Sequence, residues 1–343
     1  MKLNKATLTT VCVSLLLTSV TAHSGATGQQ RAEAAGRTLI GSPAPRIVVK
    51  TIDGDTIDLG SLYGKKAVYL KFWATWCTPC REQMPHFQRA YATAGPDLAV
   101  IAVNVGFNDS VEEVRKYRRQ LGITMPIVFD ADGQLGAAFH LRVTPQHIVI
   151  GRDGRIQYVG HLADERLDAA LLAARMPESG PTRAAKERAV AAEAHYGVGD
   201  EVPSLTVRTV DGKPFPLRTS RPGGPTVYVF LSPWCESYLA TTRPVVSENC
   251  RIAREQVTSL AADRHVRWLG VASGLWATPS DLREYRTKYR LTIPLTLDES
   301  GALFRQFNVA NTPTLIVADA HGKIVQRIDS GEADTIQHAL QGL

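Results

Sequence analysis

The chain contains itself twice, and this constrains its architecture more than any local pattern. Gly41, Pro45, Asp53-Gly54 and Trp76-Cys77 recur 158 residues later as Gly199, Pro203, Asp211-Gly212 and Trp234-Cys235. Further along the offset becomes 168. Tyr117, Pro126, Asp130, Gly133, Phe139, Thr144-Pro145 and Gly154 recur as Tyr285, Pro294, Asp298, Gly301, Phe307, Thr312-Pro313 and Gly322. Two copies in one order make a tandem duplication of a domain, not a solenoid. A length of 343 residues suits two cores better than one. The change of offset places ten extra residues between Cys235 and Tyr285.

Within the first copy, Arg46–Thr51 and Thr56–Leu59 flank an Asp53-Gly54 turn and read as a hairpin. Ala67–Trp73 and Leu98–Val105 read as buried strands, and His147–Gly151 and Arg155–Gly160 as two more, joined through Asp153-Gly154. Helical spacing covers Thr78–Thr93, where Pro85 predicts a kink, and also Ser110–Leu121 and Asp164–Arg175. Strands alternating with helices predict an α/β layer with a mixed sheet. The domains are expected at 39–176 and 197–343, with 177–196 as a partly helical linker rich in Ala, Glu, Arg and Lys.

The first residues predict export. Lys2 and Lys5 precede the uncharged apolar run Ala6–Val20, and Val20-Thr21-Ala22 offers small residues for cleavage, so 1–22 reads as a signal peptide. The run is short of the roughly 20 residues of a spanning helix, and an uncleaved inner-membrane anchor is the other reading. Residues 23–38 read as a polar tether. Cleavage removes Cys12 and leaves Cys77, Cys80, Cys235 and Cys250 in a periplasmic setting where disulfides form and persist. A hydrophobic content of 44% and a charged content of 21% are ordinary for a globular protein. The net charge of +6 is spread along the chain, with no basic run interleaved with aromatics, so nucleic acid is not an expected partner.

Residues 72–81 read FWATWCTPCR, an apolar strand running into two cysteines separated by Thr78 and Pro79. Such a pair cycles between dithiol and disulfide within one turn of chain. A cysteine where a strand hands over to a helix meets backbone N–H groups and the positive end of the helix dipole, which favour the thiolate. A free thiol titrates near ~8.5, and this position typically lowers that value. Cys77 is the expected nucleophile and Cys80 the expected resolving residue. A structural zinc site usually needs two such pairs, and the chain has one CxxC, so the motif reads as redox.

Trp76-Cys77-Thr78-Pro79-Cys80, then Pro85, then Thr144-Pro145, resembles the thioredoxin fold. The leading hairpin, the FWATWC opening and the IAVNVG strand at 101–106 narrow the resemblance to exported thiol–disulfide oxidoreductases of the TlpA/ResA type, in the redoxin superfamily. It covers 39–176, whereas the second copy follows the scaffold and departs at the active site. The resemblance implies two tandem thioredoxin-like domains, each a mixed central sheet with flanking helices and an N-terminal hairpin. It implies no cofactor, and a substrate-facing surface of Trp76, Thr144 and Pro145, with Pro145 in cis. Protein thiols and disulfides are the implied partners (apocytochrome c, copper-site proteins or stress-damaged thiols), with a membrane or periplasmic electron donor. Lys71 departs from the pattern, six positions before Cys77, where thioredoxins carry a buried acid. Either its charge favours a nearby thiolate, or it snorkels outward over apolar surface. Glu82 is a candidate proton acceptor, with an exposed helix face as the alternative.

At Cys235 the motif is WCESY, with Tyr238 where Cys80 recurs under the first offset. Under the second offset Cys80 maps to 248, two residues from Cys250, and Cys80-Arg81 parallels Cys250-Arg251. The reading is a loop at Glu236–Asn249 that splits the motif, with Cys250 opening a helix capped by Ser247 or Asn249. A Cys235–Cys250 disulfide is expected, worth about 3 kcal/mol for such a loop. A continuous helix from Glu236 forbids the bond, and Pro244 disfavours that helix. Whether the bond is catalytic, structural or in exchange with Cys77 and Cys80 stays open.

The function expected from this reading is an exported protein-disulfide reductase. Two alternatives remain. Related folds act as thiol peroxidases with a proline and a threonine before the reactive cysteine, but Thr75 stands alone two positions before Cys77. A copper-binding or docking protein would use Cys77, Cys80 and Met84, soft ligands for Cu(I). His23, His86, His140 and the other histidines show no ligand spacing.

Overall fold

A computed structural model describes residues 27–176, 194–219, 224–263, 265–329 and 335–341. The expected signal segment and the expected helical part of the linker, through residue 193, lie outside the described residues. The first domain runs α1 (Gly28–Leu39), β1 (Val48–Lys50), β2 (Thr56–Asp58), α2 (Leu59–Leu62), β3 (Ala67–Trp73), α3 (Thr78–Glu82), α4 (Met84–Ala92), β4 (Leu98–Asn104), α5 (Val111–Leu121), β5 (Ile127–Phe129), α6 (Gln134–Ala138), β6 (Gln146–Ile150), β7 (Ile156–Gly160) and α7 (Glu165–Ala174). The second follows with β8 (Thr206–Arg208), β9 (Pro214–Pro216), β10 (Thr226–Leu231), α8 (Cys235–Thr242), α9 (Pro244–Leu260), β11 (Arg267–Ser273), α10 (Pro279–Tyr289), β12 (Leu295–Asp298), α11 (Ala302–Gln306), β13 (Thr314–Ala318), β14 (Ile324–Ile328) and α12 (Thr335–Gln341).

Each domain has a five-stranded sheet of the same order, β5-β4-β3-β6-β7 and β12-β11-β10-β13-β14, and a separate hairpin, β1-β2 or β8-β9. β3 pairs parallel with β4 and antiparallel with β6. Every residue of β3 is buried, as a central strand covered on both faces requires. Its C-terminal end delivers Cys77 to the start of α3. Among the described residues no helix is long and apolar enough to cross a membrane.

Two expectations are corrected. Residues 28–38 belong to a helix, not a tether. Thr27 and Gln30 form a capping box at its start. Three of its apolar residues, Ala32, Ala35 and Leu39, fall on one stripe and are buried, and Arg31 reaches Asp281 of the second domain at 2.9 Å. The second correction concerns Glu236–Asn249, which forms a helical hairpin and not a loop. The chain breaks at Arg243 (φ −143°, ψ 64°), where Pro244 starts α9. Cys250 lies inside α9, not at its start. The turn lays α9 beside α8 and brings Cys250 to Cys235. The expected disulfide is present, with the Cα atoms 6.3 Å apart. The extra residues lengthen a helix, since α9 has 17 residues against nine in α4.

The two domains meet face to face through matching residues. Asn108 N donates to Ala310 O, and Trp276 N donates to Arg142 O, both at 2.9 Å. Each of these pairs maps onto the other under the 168-residue offset. Trp76 and Trp234, related by 158, pack with ring centroids 5.2 Å apart. This is the self-complementary interface of a two-fold dimer, built inside one chain. A cavity of about 600 Å³ lies between the domains, lined by matched pairs such as Gly106 and Gly274, Gly133 and Gly301. Phe107 bridges the domains, 6.0 Å from Phe304 and 6.2 Å from Trp234, and one apolar cluster includes residues of both sheets.

Candidate active site

The turn between β3 and α3 is held from below by Asp109. This carboxylate accepts from Thr75 N (2.8 Å), Thr75 Oγ1 (2.5 Å) and Asn104 Nδ2 (2.8 Å). Burial pushes its carboxyl up, against these hydrogen bonds and the charge of Arg243, which pull it down. Trp76 is buried and donates from Nε1 to Phe107 O at 2.7 Å. Cys77 is the cap residue of α3, its sulfur accepting from Cys80 N at 3.2 Å. Cys77 and Cys80 form a disulfide with Cα atoms 5.2 Å apart.

Thr144-Pro145 is in cis, as is its repeat Thr312-Pro313. Pro145 O accepts from His161 Nδ1 at 2.7 Å. A chain of hydrogen bonds runs on into the core. Gln83 Nε2 donates to His161 O at 3.2 Å, His147 Nε2 contacts Gln83 Oε1 at 2.8 Å, and Tyr69 Oη contacts His147 Nδ1 at 2.8 Å. Since Gln83 Oε1 only accepts, His147 carries its proton on Nε2 and accepts from Tyr69. Burial first, then the charge of Lys71, holds His147 well below the ordinary histidine range.

Lys71 faces inward. It is fully buried, which overturns the snorkelling reading. Its Nζ has no hydrogen-bond partner among the described residues and stands 5.3 Å from the centroid of Phe87. Burial lowers its pKa from 10.5 to about 7. Glu82, by contrast, is exposed at the end of α3 and lines no wall of the pocket at Cys77, so the site does not gather it as a proton acceptor. Met84 is buried at the start of α4.

The second domain closes over this site. Trp276 Nε1 donates to Thr144 Oγ1 at 3.2 Å, and its ring meets His161 edge-on. Tyr238 Oη accepts from Thr78 N at 3.2 Å. Arg243 pairs with Asp109 and Glu113, each at 3.0 Å. Thr144 and Pro145 are buried, and Cys77 retains only 1% exposure. What remains beside Cys77 is a pocket of about 300 Å³ between α3, α5 and the α8–α9 corner. On the other side, Cys250 Sγ lies 3.6 Å from Thr312 O, so the second disulfide adjoins the repeated cis-proline loop.

Asn108, Asp109, Arg243 and Trp276 are the site residues that sequence reasoning missed. The 168-residue offset maps Asn108 onto Trp276, and this polar-to-aromatic change at an otherwise repeated spacing was the available signal.

The AhpC/TSA family profile matches residues 40–159 and the Redoxin profile residues 197–341. Thioredoxin-like protein YneN of Bacillus subtilis (strain 168) is 34% identical over 134 residues, 38% of this chain and 78% of that protein. The chain belongs to the thioredoxin-like redoxin family, as a tandem of two such domains. Thiol-disulfide oxidoreductase ResA of the same organism is 33% identical over 117 residues, 34% of this chain and 64% of that relative's length. A putative thiol:disulfide interchange protein DsbE from Chlorobium tepidum is 27% identical, covering 40% of this chain and 98% of that one, with a TM-score of 0.36. StoA from Bacillus subtilis is 28% identical, covering 37% and 98%, with a TM-score of 0.33. Within the family, the first domain keeps both cysteines of its motif in one turn. The second moves its partner cysteine onto a longer helix and puts Tyr238 in the vacated place.

Proposed function

We propose that the protein is an exported thiol–disulfide oxidoreductase whose Cys77–Cys80 dithiol reduces protein disulfides. The observation that carries this reading is the redox pair itself, placed at a strand-to-helix turn and bordering a pocket that Cys77 lines. In the reduced chain, the Cys77 thiolate attacks a substrate disulfide. One substrate sulfur leaves as a thiol, and a mixed disulfide joins Cys77 to the other. Cys80 then attacks Cys77 Sγ, closes the internal disulfide and releases the second thiol. Membership of the redoxin family and relatives named for thiol–disulfide exchange support the reaction class. The apolar run at 6–20 supports export to the periplasm, and a membrane or periplasmic donor would return two electrons to the pair. Cytochrome c maturation is one process that would use such a reductant.

The second domain acts in this reading as a cover. Protein substrates pair with the Thr144–Pro145 edge when Trp276 withdraws from it. Reduction of insulin by the dithiothreitol-recycled full chain tests the reading. Turnover is expected for the wild type and lost in Cys77→Ser. Undiminished turnover by Cys77→Ser removes Cys77 from the reaction.

A further inference from the structure

We infer that in the closed arrangement the Cys77 pocket serves small anionic disulfides, a substrate class distinct from extended protein segments. This rests on the oxidoreductase reading above and narrows it. Two observations lead there. The first is what the closed form denies. An extended peptide binds by adding its backbone to an exposed edge, and here that edge is taken. Trp276 N donates to Arg142 O at 2.9 Å, Trp276 Nε1 holds Thr144 Oγ1, and Thr144 and Pro145 are buried.

The second is what the pocket offers. At about 300 Å³ it lies at the small end of ligand sites, room for a compact molecule and not for a folded surface. Its walls carry three cations, Arg81, Lys116 and Arg243, and one carboxylate, Glu113. Arg243 is already committed to Glu113 and Asp109. Arg81 lies over the Tyr117 ring at 5.0 Å. Neither Arg81 nor Lys116 has an ion-pair partner among the described residues, and both are exposed. Two uncommitted positive charges, on Arg81 and Lys116, therefore line a pocket that Cys77 also lines. Such a field raises the local concentration of anions and their encounter rate, and guanidinium and ammonium groups match carboxylates directly. A disulfide carrying carboxylates close to its sulfurs fits both the size and the sign.

The chemistry balances without a further reagent. Cys77 thiolate attacks one sulfur of R–S–S–R, forming the Cys77–S bond and breaking the substrate S–S bond, and RS⁻ departs and takes a proton. Cys80 then loses its proton and attacks Cys77 Sγ, releasing the second RS⁻. Two electrons pass from the protein dithiol to the substrate, giving two thiols and the Cys77–Cys80 disulfide.

The test uses the reduced full chain with three compact probes of different charge: 3,3′-dithiodipropionate (anionic), hydroxyethyl disulfide (neutral) and cystamine (cationic). Each rate of Cys77–Cys80 oxidation is divided by the rate at which dithiothreitol reduces the same probe, which cancels leaving-group reactivity. The expected order is dithiodipropionate above hydroxyethyl disulfide above cystamine, with about a tenfold span at low ionic strength that narrows as salt is added. Lys116→Glu and Arg81→Glu, both at exposed positions, should shrink or invert that span. Equal normalised rates, a preference for cystamine, or a span unmoved by either charge reversal overturns the inference. A reduced chain oxidised by none of the probes also overturns the inference, while insulin turnover by the same preparation reports separately on the oxidoreductase reading.

Discussion

Replacing Lys71 by methionine keeps the length of the side chain and takes a charge out of the middle of β3. The consequence can be worked from the structure. Lys71 is fully buried and its Nζ has no hydrogen-bond partner among the described residues. The residue paired with it on β6, His147, has both ring nitrogens engaged, by Tyr69 and Gln83. No acceptor is left to hold an ammonium there, so burial lowers the lysine from 10.5 to about 7. The unfolded chain keeps that proton up to its ordinary value, whereas the folded chain sheds it above about 7. The unfolded state thus binds more protons throughout the window, and this residue makes stability rise with pH from about 7 to 10.5. Below the window both states are protonated and the destabilisation is complete. The interval from 10.5 to about 7, at about 1.4 kcal/mol per pH unit, sets a ceiling of about 5 kcal/mol. Urea unfolding of the oxidised wild type and Lys71→Met at about pH 6.5, 8 and 9.5 reads it directly. The variant should be the more stable protein at the lowest pH, by several kcal/mol, with the gap closing stepwise as pH rises. A gap that does not change with pH, or a variant less stable than wild type at the lowest pH, refutes the burial of an unpaired lysine beside the site.

Three further outcomes follow from the contacts between the domains and from the second disulfide. Cys250→Ser, with Cys235→Ser to avoid a free thiol, should lower stability by about 3 kcal/mol, the value for a loop of this length, while Cys77–Cys80 still forms; unfolding midpoints with thiol mapping report both. Trp276→Ala removes the hydrogen bond to Thr144, a loss of about 1.4 kcal/mol that opens the cover about tenfold more often. Iodoacetamide should then label Cys77 of the reduced chain about that much faster, and an unchanged rate would contradict the covering role. Asp109→Asn should cost about 2 kcal/mol, less than a fully buried pair because Arg243 keeps 22% of its side chain in solvent; a neutral effect in thermal unfolding would mean the carboxylate does not anchor Thr75 and Arg243.

Much of this molecule was legible in its residues because the signals were local or repeated. The boundaries of β3 follow from an apolar run broken only by Lys71, and α5 follows from Ser110, whose side chain accepts from Glu113 N at the start of the helix. The Cys235–Cys250 pairing came from offset arithmetic, yet the helical hairpin behind it did not, because an insertion read in one dimension looks like a loop. Pro244 marked the break, but which way the chain turns after it depends on packing against the rest of the second domain. Helix α1 was read as a tether because its composition is polar, while its burial rests on three small or apolar residues aligned by the helical period. Burial of Lys71 was undecidable from the sequence, since a long cationic side chain reads the same facing in or out. The closure of one domain on the other was the largest omission. It is made by residues such as Asn108 and Trp276 whose meaning appears only when the two copies are superposed and placed in contact.

The central claim is that Cys77 makes the first attack and Cys80 resolves it. Cys80→Ser in the full chain, reduced and then exposed to a disulfide substrate, should accumulate one stable adduct, and peptide mapping should place it on Cys77 with Cys235–Cys250 intact. An adduct on Cys235 or Cys250, or no adduct under conditions where the wild type turns over, would contradict it.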